Sequence, residues 1–154
     1  MSHMLAVGTP APDFALEDQA RNVIRLSDYR GRKAVVVAFH PFAFTPVCTR
    51  QMESYQAAWP TLESMGVQVL GISTDAGPSK AAWAKSMGGL SFPVLTDHYP
   101  HGQVAQSYGV LGDHGLADRS VFVVDKSGRI AWAKHYGMDN DAPIEELMGE
   151  LKAL

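Results

Sequence analysis

His40-Pro41-Phe42-Ala43-Phe44-Thr45-Pro46-Val47-Cys48-Thr49-Arg50 is the stretch on which the reading of this chain turns. Just before it, Ala34 to Phe39 (AVVVAF) is a continuous, largely β-branched apolar run, the pattern of a strand buried on both faces. Just after it, residues 47–65 place Cys48, Met52, Tyr55, Trp59 and Leu62 at steps of four and three, which traces one face of a helix. The stretch therefore joins the end of a strand to the start of a helix, where open α/β sheets tend to bind their ligands. Thr45-Pro46 predicts the helix start, with the threonine oxygen as N-cap and proline in the first helical position. In that register Cys48 lies in the first turn, beside free backbone N–H groups and the positive end of the helix dipole, an environment that favours thiolate over thiol.

Working outward, Val67 to Ile72 (VQVLGI) and Val121 to Val124 (VFVV) predict two more buried strands, and Ile130 to His135 a shorter one. Asp125-Lys126-Ser127-Gly128 between the last two is a hairpin turn. Pro60 is expected to kink or interrupt the helix after Cys48, and Gly66 to stop it. Residues 78–87 (PSKAAWAKSM) predict a second helix, Gln103 to Tyr108 a short third one, and Pro143 to Leu154 a C-terminal helix with Asp141 as its cap. Residues 8–32 have little periodicity and predict an extended lead-in with a short turn at Leu26-Ser27-Asp28-Tyr29. The expected fold class is α/β, a mixed sheet covered by helices. No repeat or linker interrupts residues 4–154, which read as a single domain. Met4 reads as the natural start, and residues 1–3 as a remnant of an expression vector.

The chain has 154 residues, about one domain's worth. With 46% hydrophobic and 19% charged residues it can bury a core. Its net charge of −3 gives no basic excess for neutralising phosphates, so a nucleic-acid partner is not expected. No apolar run approaches the roughly 20 residues of a membrane helix, and the first residues lack the regions of a signal peptide. The single cysteine, Cys48, excludes an intramolecular disulfide, a CxxC pair and a cysteine-rich zinc site, and suits a reducing, cytoplasmic setting. His98, His101 and His114 suggest a metal site at first sight. Pro100 spoils a helical spacing, however, and a polar surface loop is expected there. Asp139-Asn140-Asp141 lacks the register of a calcium loop and reads as a helix-capping turn. No phosphate-binding loop occurs, and neither a metal nor a cofactor is expected.

Pro41, Thr45 and Cys48 together form PxxxTxxC, which resembles the active-site motif of the peroxiredoxins, the alkyl hydroperoxide reductase/thiol-specific antioxidant superfamily. The resemblance spans nearly the whole chain. Gly8 to Phe14 resembles the family's G-x-x-A-P-D-F opening, and Leu26 to Gly31 its L-S-D-x-x-G turn. Val69 to Asp75 is similar to its V-x-G-I-S-x-D strand end, and Phe92 to Asp97 to its F-P-x-L-x-D segment. Asp118 to Asp125 resembles the segment that supplies the family's active-site arginine, here Arg119. Glu53 stands where one branch carries a second, resolving cysteine, so the chain resembles the one-cysteine type. The tail GLADRSVFVVDKSGRI is most similar to the alkyl hydroperoxide reductase E subgroup.

The resemblance implies a thioredoxin-like fold and an antioxidant thiol peroxidase acting on hydrogen peroxide and alkyl hydroperoxides, with peroxynitrite a further candidate. It implies Cys48, Thr45, Arg119 and Pro41 as catalytic residues, and His40, Phe42, Phe44 and Val47 as lining of the substrate pocket. It also implies regeneration by an external thiol (thioredoxin, a glutaredoxin-like protein or a low-molecular-weight thiol) and a homodimer, for whose interface Phe42, Phe44 and Trp83 are available.

Elementary chemistry says which residues must matter. A cysteine of ordinary pKa is about 3% thiolate at pH 7, and lowering a thiol's pKa to about 6 raises that about thirty-fold. Nucleophilicity falls by about ten-fold over the same change, leaving a gain of only a few-fold. The larger contribution must be stabilisation of the breaking O–O bond and of the charge on the leaving oxygen. Thr45, Arg119 and the N–H groups of the first helical turn are the candidates, with Pro41 shielding the sulfur from water. Without the resemblance, Arg119 reads as a solvated charge paired with Asp118. The competing functions are a disulfide reductase or chaperone, which the lack of a second cysteine opposes, and a redox-sensing or interaction domain in which Cys48 is an inert buried hydrophobe.

Overall fold

In the computed structural model, which describes residues 4–154, the β-branched runs form the middle of one seven-stranded sheet. The expected remnant, residues 1–3, lies outside the described residues. β3 (Ala34–Phe39) and β4 (Val67–Ser73) pair in parallel from Ala34↔Val67 to Phe39↔Ile72. Every residue of both strands is buried, as continuous apolar runs require. On its other edge β3 takes β6 (Ser120–Val124) antiparallel, and β6 takes β7 (Ile130–His135). The β6–β7 turn is the predicted one. The Asp125 carboxylate accepts hydrogen bonds from the N–H groups of Ser127 and Arg129. Burial raises its pKa, but the Ser127 hydroxyl and these N–H groups together outweigh burial and hold it below the usual carboxylate value.

Three strands escape the sequence pattern: β1 (Ala15–Glu17), β2 (Val23–Arg25) and β5 (Val94–Thr96). They complete the order β2-β1-β5-β4-β3-β6-β7. The lead-in is therefore a hairpin rather than merely extended chain, followed by a short 3-10 helix at Leu26–Tyr29 where a turn was expected. Three residues are too few to display a period of two, and this hairpin is held by turn chemistry. Asp18 accepts from the N–H groups of Ala20 and Asn22.

Among the described residues four helices cover the sheet: α1 (Pro46–Ser64), α2 (Gly77–Ser86), α3 (Gln103–Ser107) and α4 (Ile144–Lys152). One face of the sheet packs Cys48, Met52, Tyr55 and Leu62 of α1, Trp83 and Ala84 of α2, and Leu147 and Leu151 of α4. The other face packs Val104 and Ala105 of α3 with Ala11, Phe14, Leu26 and Tyr108.

Two local expectations are corrected. Pro60 does not interrupt α1, which runs through it. Pro60 is exposed, so the carbonyl it leaves unpaired can face water, while buried Tyr55 and Leu62 hold the helix on either side. The expected stop at Gly66, at φ +73°, is observed. Asp141 does not cap α4, because its carboxylate is taken by Arg50, with Nε to Oδ1 at 3.1 Å. Pro143 occupies the N-cap position instead. Among the described residues no helix is long and apolar enough to cross a membrane.

Candidate active site

The parallel β3–β4 pair delivers two chain segments to one end of the sheet. β3 runs into His40–Thr45 and then α1, while β4 runs into Thr74–Ala76 and then α2. Cys48 lies in the first turn of α1, as the Thr45-Pro46 register predicts, and its side chain is wholly buried.

Thr45 holds the N-cap position with extended backbone (φ −106°, ψ 152°), but its side chain does not cap the helix. Its hydroxyl donates instead to the Phe42 carbonyl at 2.8 Å. The cause lies one residue earlier. Phe44 is in the left-handed region at φ +64°, and the turn it makes brings the Phe42 carbonyl within reach of Thr45. A non-glycine residue in that conformation costs about 1–2 kcal/mol, so the surrounding contacts must hold the turn closed.

Arg119 immediately precedes β6 and is buried, not the solvated partner of Asp118 that its residue type alone suggests. Asp118 faces His135 Nε2 at 3.3 Å. Both terminal nitrogens of Arg119 lie 3.4 Å from the Cys48 sulfur. Nη1 also donates to Gln51 Oε1 at 2.8 Å and Nη2 to the Met138 carbonyl at 3.0 Å. Gln51 in turn donates through Nε2 to the Tyr55 hydroxyl at 2.9 Å. Burial pushes that hydroxyl up to about 12, so it stays protonated. Among the described residues Arg119 meets the sulfur, a neutral amide and a backbone carbonyl, but no carboxylate. Its positive charge is left facing the sulfur and any anion that develops there.

The other expected site residues divide. Pro41 is buried at the start of the loop, and Val47 is half-buried. Phe42 and Phe44 are 43% and 58% exposed, large apolar surface beside the site. Trp83 is not available for an interface: it is buried, with Nε1 donating to Thr49 Oγ1 at 3.1 Å.

His40 is wholly enclosed rather than open to the loop's surface. Its ring lies 5.0 Å from that of Trp83, and its Nε2 is 2.8 Å from Lys80 Nζ. Burial, then the charges of Lys80 and Arg119, hold His40 well below its ordinary pKa, so it is neutral. Lys80 is equally buried, and burial pushes it down to about 7 against the opposing pull of Asp75 and Cys48. Of the three histidines on the surface loops, His101 Nε2 bonds the Gly115 carbonyl at 2.7 Å. Among the described residues no cluster of His, Cys, Asp and Glu could hold a metal.

Gln51 and Lys80 have no place in the sequence reading. Gln51 carried a signal, since it follows Cys48 by three residues on the same helical face. Lys80 lies three residues before Trp83 on the buried face of α2, but a lysine reads as surface.

Residues 7–133 match the model of the AhpC/TSA family. Over 132 residues, covering 85% of this chain and 86% of the relative, the chain is 42% identical to alkyl hydroperoxide reductase E of Mycobacterium tuberculosis. It is 34% identical over 158 residues to the chloroplastic 2-Cys peroxiredoxin BAS1 of Spinacia oleracea, covering 96% of this chain and 59% of that longer one. Among solved structures, peroxidoxin BcpB from Mycobacterium tuberculosis superposes with a TM-score of 0.86 at 30% identity, covering 99% of both chains.

Proposed function

The chain belongs to the AhpC/TSA family and is a peroxiredoxin, a thiol-dependent peroxidase with a single cysteine, and from that premise we propose how its site works. The Cys48 thiolate attacks the near oxygen of a peroxide ROOH. An S–O bond forms as the O–O bond breaks, and the departing RO⁻ takes up a proton to leave as alcohol or water. Cys48 is left as a sulfenic acid. Arg119 stabilises the charge arriving on the leaving oxygen through its two terminal nitrogens. The Thr45 hydroxyl turns from the Phe42 carbonyl to hold the peroxide in line, and Pro41 keeps water from the sulfur. The observation that carries this reading is the guanidinium fork at 3.4 Å from the only sulfhydryl, its charge uncompensated by a carboxylate among the described residues. An inert buried cysteine needs no such partner, which sets aside the alternative of a sensing or interaction domain.

The substrates in this reading are hydrogen peroxide and alkyl hydroperoxides, with peroxynitrite third. The exposed rings of Phe42 and Phe44 and the half-buried Val47 suit an alkyl group at the approach to the sulfur. With no second cysteine, the sulfenic acid is reduced by an external thiol. That reductant is thioredoxin, a glutaredoxin-like protein or a low-molecular-weight thiol. Residues 4–154 act as one domain, paired as a homodimer in the cytoplasm. Stopped-flow comparison of hydrogen peroxide, an alkyl hydroperoxide and peroxynitrite tests the substrate reading. Faster reaction with the alkyl hydroperoxide than with hydrogen peroxide supports the apolar approach, and the reverse order removes it.

A further inference from the structure

Lys80 has no exposed surface, a setting in which lysines are almost never found unless paired. Its Nζ meets His40 Nε2 at 2.8 Å and donates to Ser73 Oγ at 2.9 Å, 5.4 Å from the centre of the Trp83 ring. Ser73 donates to Asp75 Oδ2 at 2.6 Å, and that same oxygen accepts the Ala43 N–H at 2.8 Å. Asp75 is fixed in turn by Thr96, whose hydroxyl donates to its carbonyl. The network thus grips the β3–α1 loop at two points, His40 and Ala43, on either side of Pro41 and Phe42. Between those points lies the Phe42 carbonyl to which the Thr45 hydroxyl is tied.

We propose that Lys80 is a positioning residue for peroxide reduction: through His40 at one end, and through Ser73 and Asp75 to Ala43 at the other, it sets the place of the loop from which Pro41 and Thr45 act. This rests on the reading of Pro41 and Thr45 given above. The loop needs such a clamp because Phe44 holds a conformation unfavourable for its residue type. Burial does not by itself favour a lysine here, since desolvation penalises its charged form. A methionine has nearly the length of this lysine and could fill its place beside Trp83.

The test compares two rates on each variant at one pH. The first is the second-order reaction of Cys48 with hydrogen peroxide. The second is its alkylation by iodoacetamide, which needs the thiolate but not a positioned peroxide. A misplacement of about 1 Å at a reacting centre can cost about 10²-fold, so the peroxide-to-alkylation ratio should fall about 10- to 100-fold in Lys80→Met, read well below the melting temperature of the variant. Ser73→Ala, which removes the hydroxyl between Lys80 and Asp75 and leaves Lys80 on His40, should lower the ratio in the same direction. If Lys80→Met does not fold, Ser73→Ala decides alone. The double variant Lys80→Met/Asp75→Asn should be no slower than the slower single variant, since the groups act as one unit. Thr45→Val serves as the reference. If it lowers the ratio while the Lys80 and Ser73 variants keep theirs, the clamp is refuted and the role of Thr45 stands. If Thr45→Val keeps the ratio, the loop reading fails and the clamp falls with it.

Discussion

Arg119→Lys keeps the charge beside Cys48 and removes the planar fork, which separates two roles that Arg119→Ala removes together. The wild-type guanidinium makes four contacts: two to the sulfur at 3.4 Å, one to Gln51 Oε1 at 2.8 Å and one to the Met138 carbonyl at 3.0 Å. A lysine offers three donors from a single atom and cannot reproduce the contacts that two separate nitrogens make to Gln51, Met138 and the sulfur. Leaving one buried acceptor unpaired costs about 1–3 kcal/mol of stability, and each kcal/mol lowers Tm by about 2–4 °C in a chain of this size. The loss of one transition-state donor costs about 10²–10³ in rate. Arg119→Lys should therefore be slower than wild type by about 10²–10³ and faster than Arg119→Ala. Stopped-flow tryptophan fluorescence can follow the reaction, since Trp83 is bonded to Thr49 next to Cys48. Iodoacetamide alkylation of the same proteins corrects for the thiolate fraction. A corrected rate for Arg119→Lys equal to that of wild type would show that only the charge matters and would refute the geometric role.

Thr45→Val should slow peroxide reduction by about 10²-fold or more beyond any change in thiolate fraction. It should cost little stability, because the hydroxyl does not cap α1, and a loss fully explained by the thiolate titration would remove Thr45 from the transition state. Pro60→Ala should raise stability by about 1–3 kcal/mol, since an internal proline costs about 3 relative to alanine and its stiffening of the unfolded chain returns up to about 1; an unchanged urea midpoint would show that α1 has already absorbed the strain. Stability should also rise with pH. Below about pH 6.5 the unfolded chain protonates His40 and the folded chain does not, so stability is lost toward acid. Between about 7 and 10 the unfolded chain holds the Lys80 proton that the folded chain has released, so stability climbs by up to about 1.4 kcal/mol per pH unit. Tyr55, folded near 12, reverses the sign above about pH 10. Urea melts from pH 5 to 10 should show the rise, and Lys80→Met should abolish its part above pH 7; a flat profile in both proteins would contradict the buried, deprotonating lysine.

The longer strands of the fold were legible, the central ones because full burial makes them continuous apolar runs. Ala34–Phe39 and Ile130–His135 match their strands residue for residue, and Val67–Ile72 falls short of its strand by one. The three-residue strands β1, β2 and β5 are too short to carry a period, and pairing with neighbours makes them. At the site, Cys48 in the first helical turn followed from Thr45-Pro46, but the direction of the Thr45 hydroxyl depended on the unusual backbone of Phe44. Arg119 was legible only through the family resemblance. No local pattern says that a charge at a strand end turns inward to meet a helix 71 residues away in sequence. Lys80 was hidden for the same reason, and so was the full enclosure of His40, since two basic side chains sharing a buried site violate the residue preferences on which sequence reading depends.

Cys48 acts as a nucleophile without an internal partner, and intact-mass spectrometry of the reduced protein, with no thiol present, tests this most directly. One equivalent of hydrogen peroxide should add one oxygen to Cys48 at neutral pH. Excess peroxide should then add further oxygens stepwise to the same chain, as sulfenic acid passes to sulfinic acid, while non-reducing gels show no disulfide-linked dimer. An external thiol supplied before the excess should return the original mass through a mixed disulfide. A cysteine still unmodified after minutes, or quantitative conversion to a catalytically competent Cys48–Cys48 linked dimer, would contradict the one-cysteine mechanism.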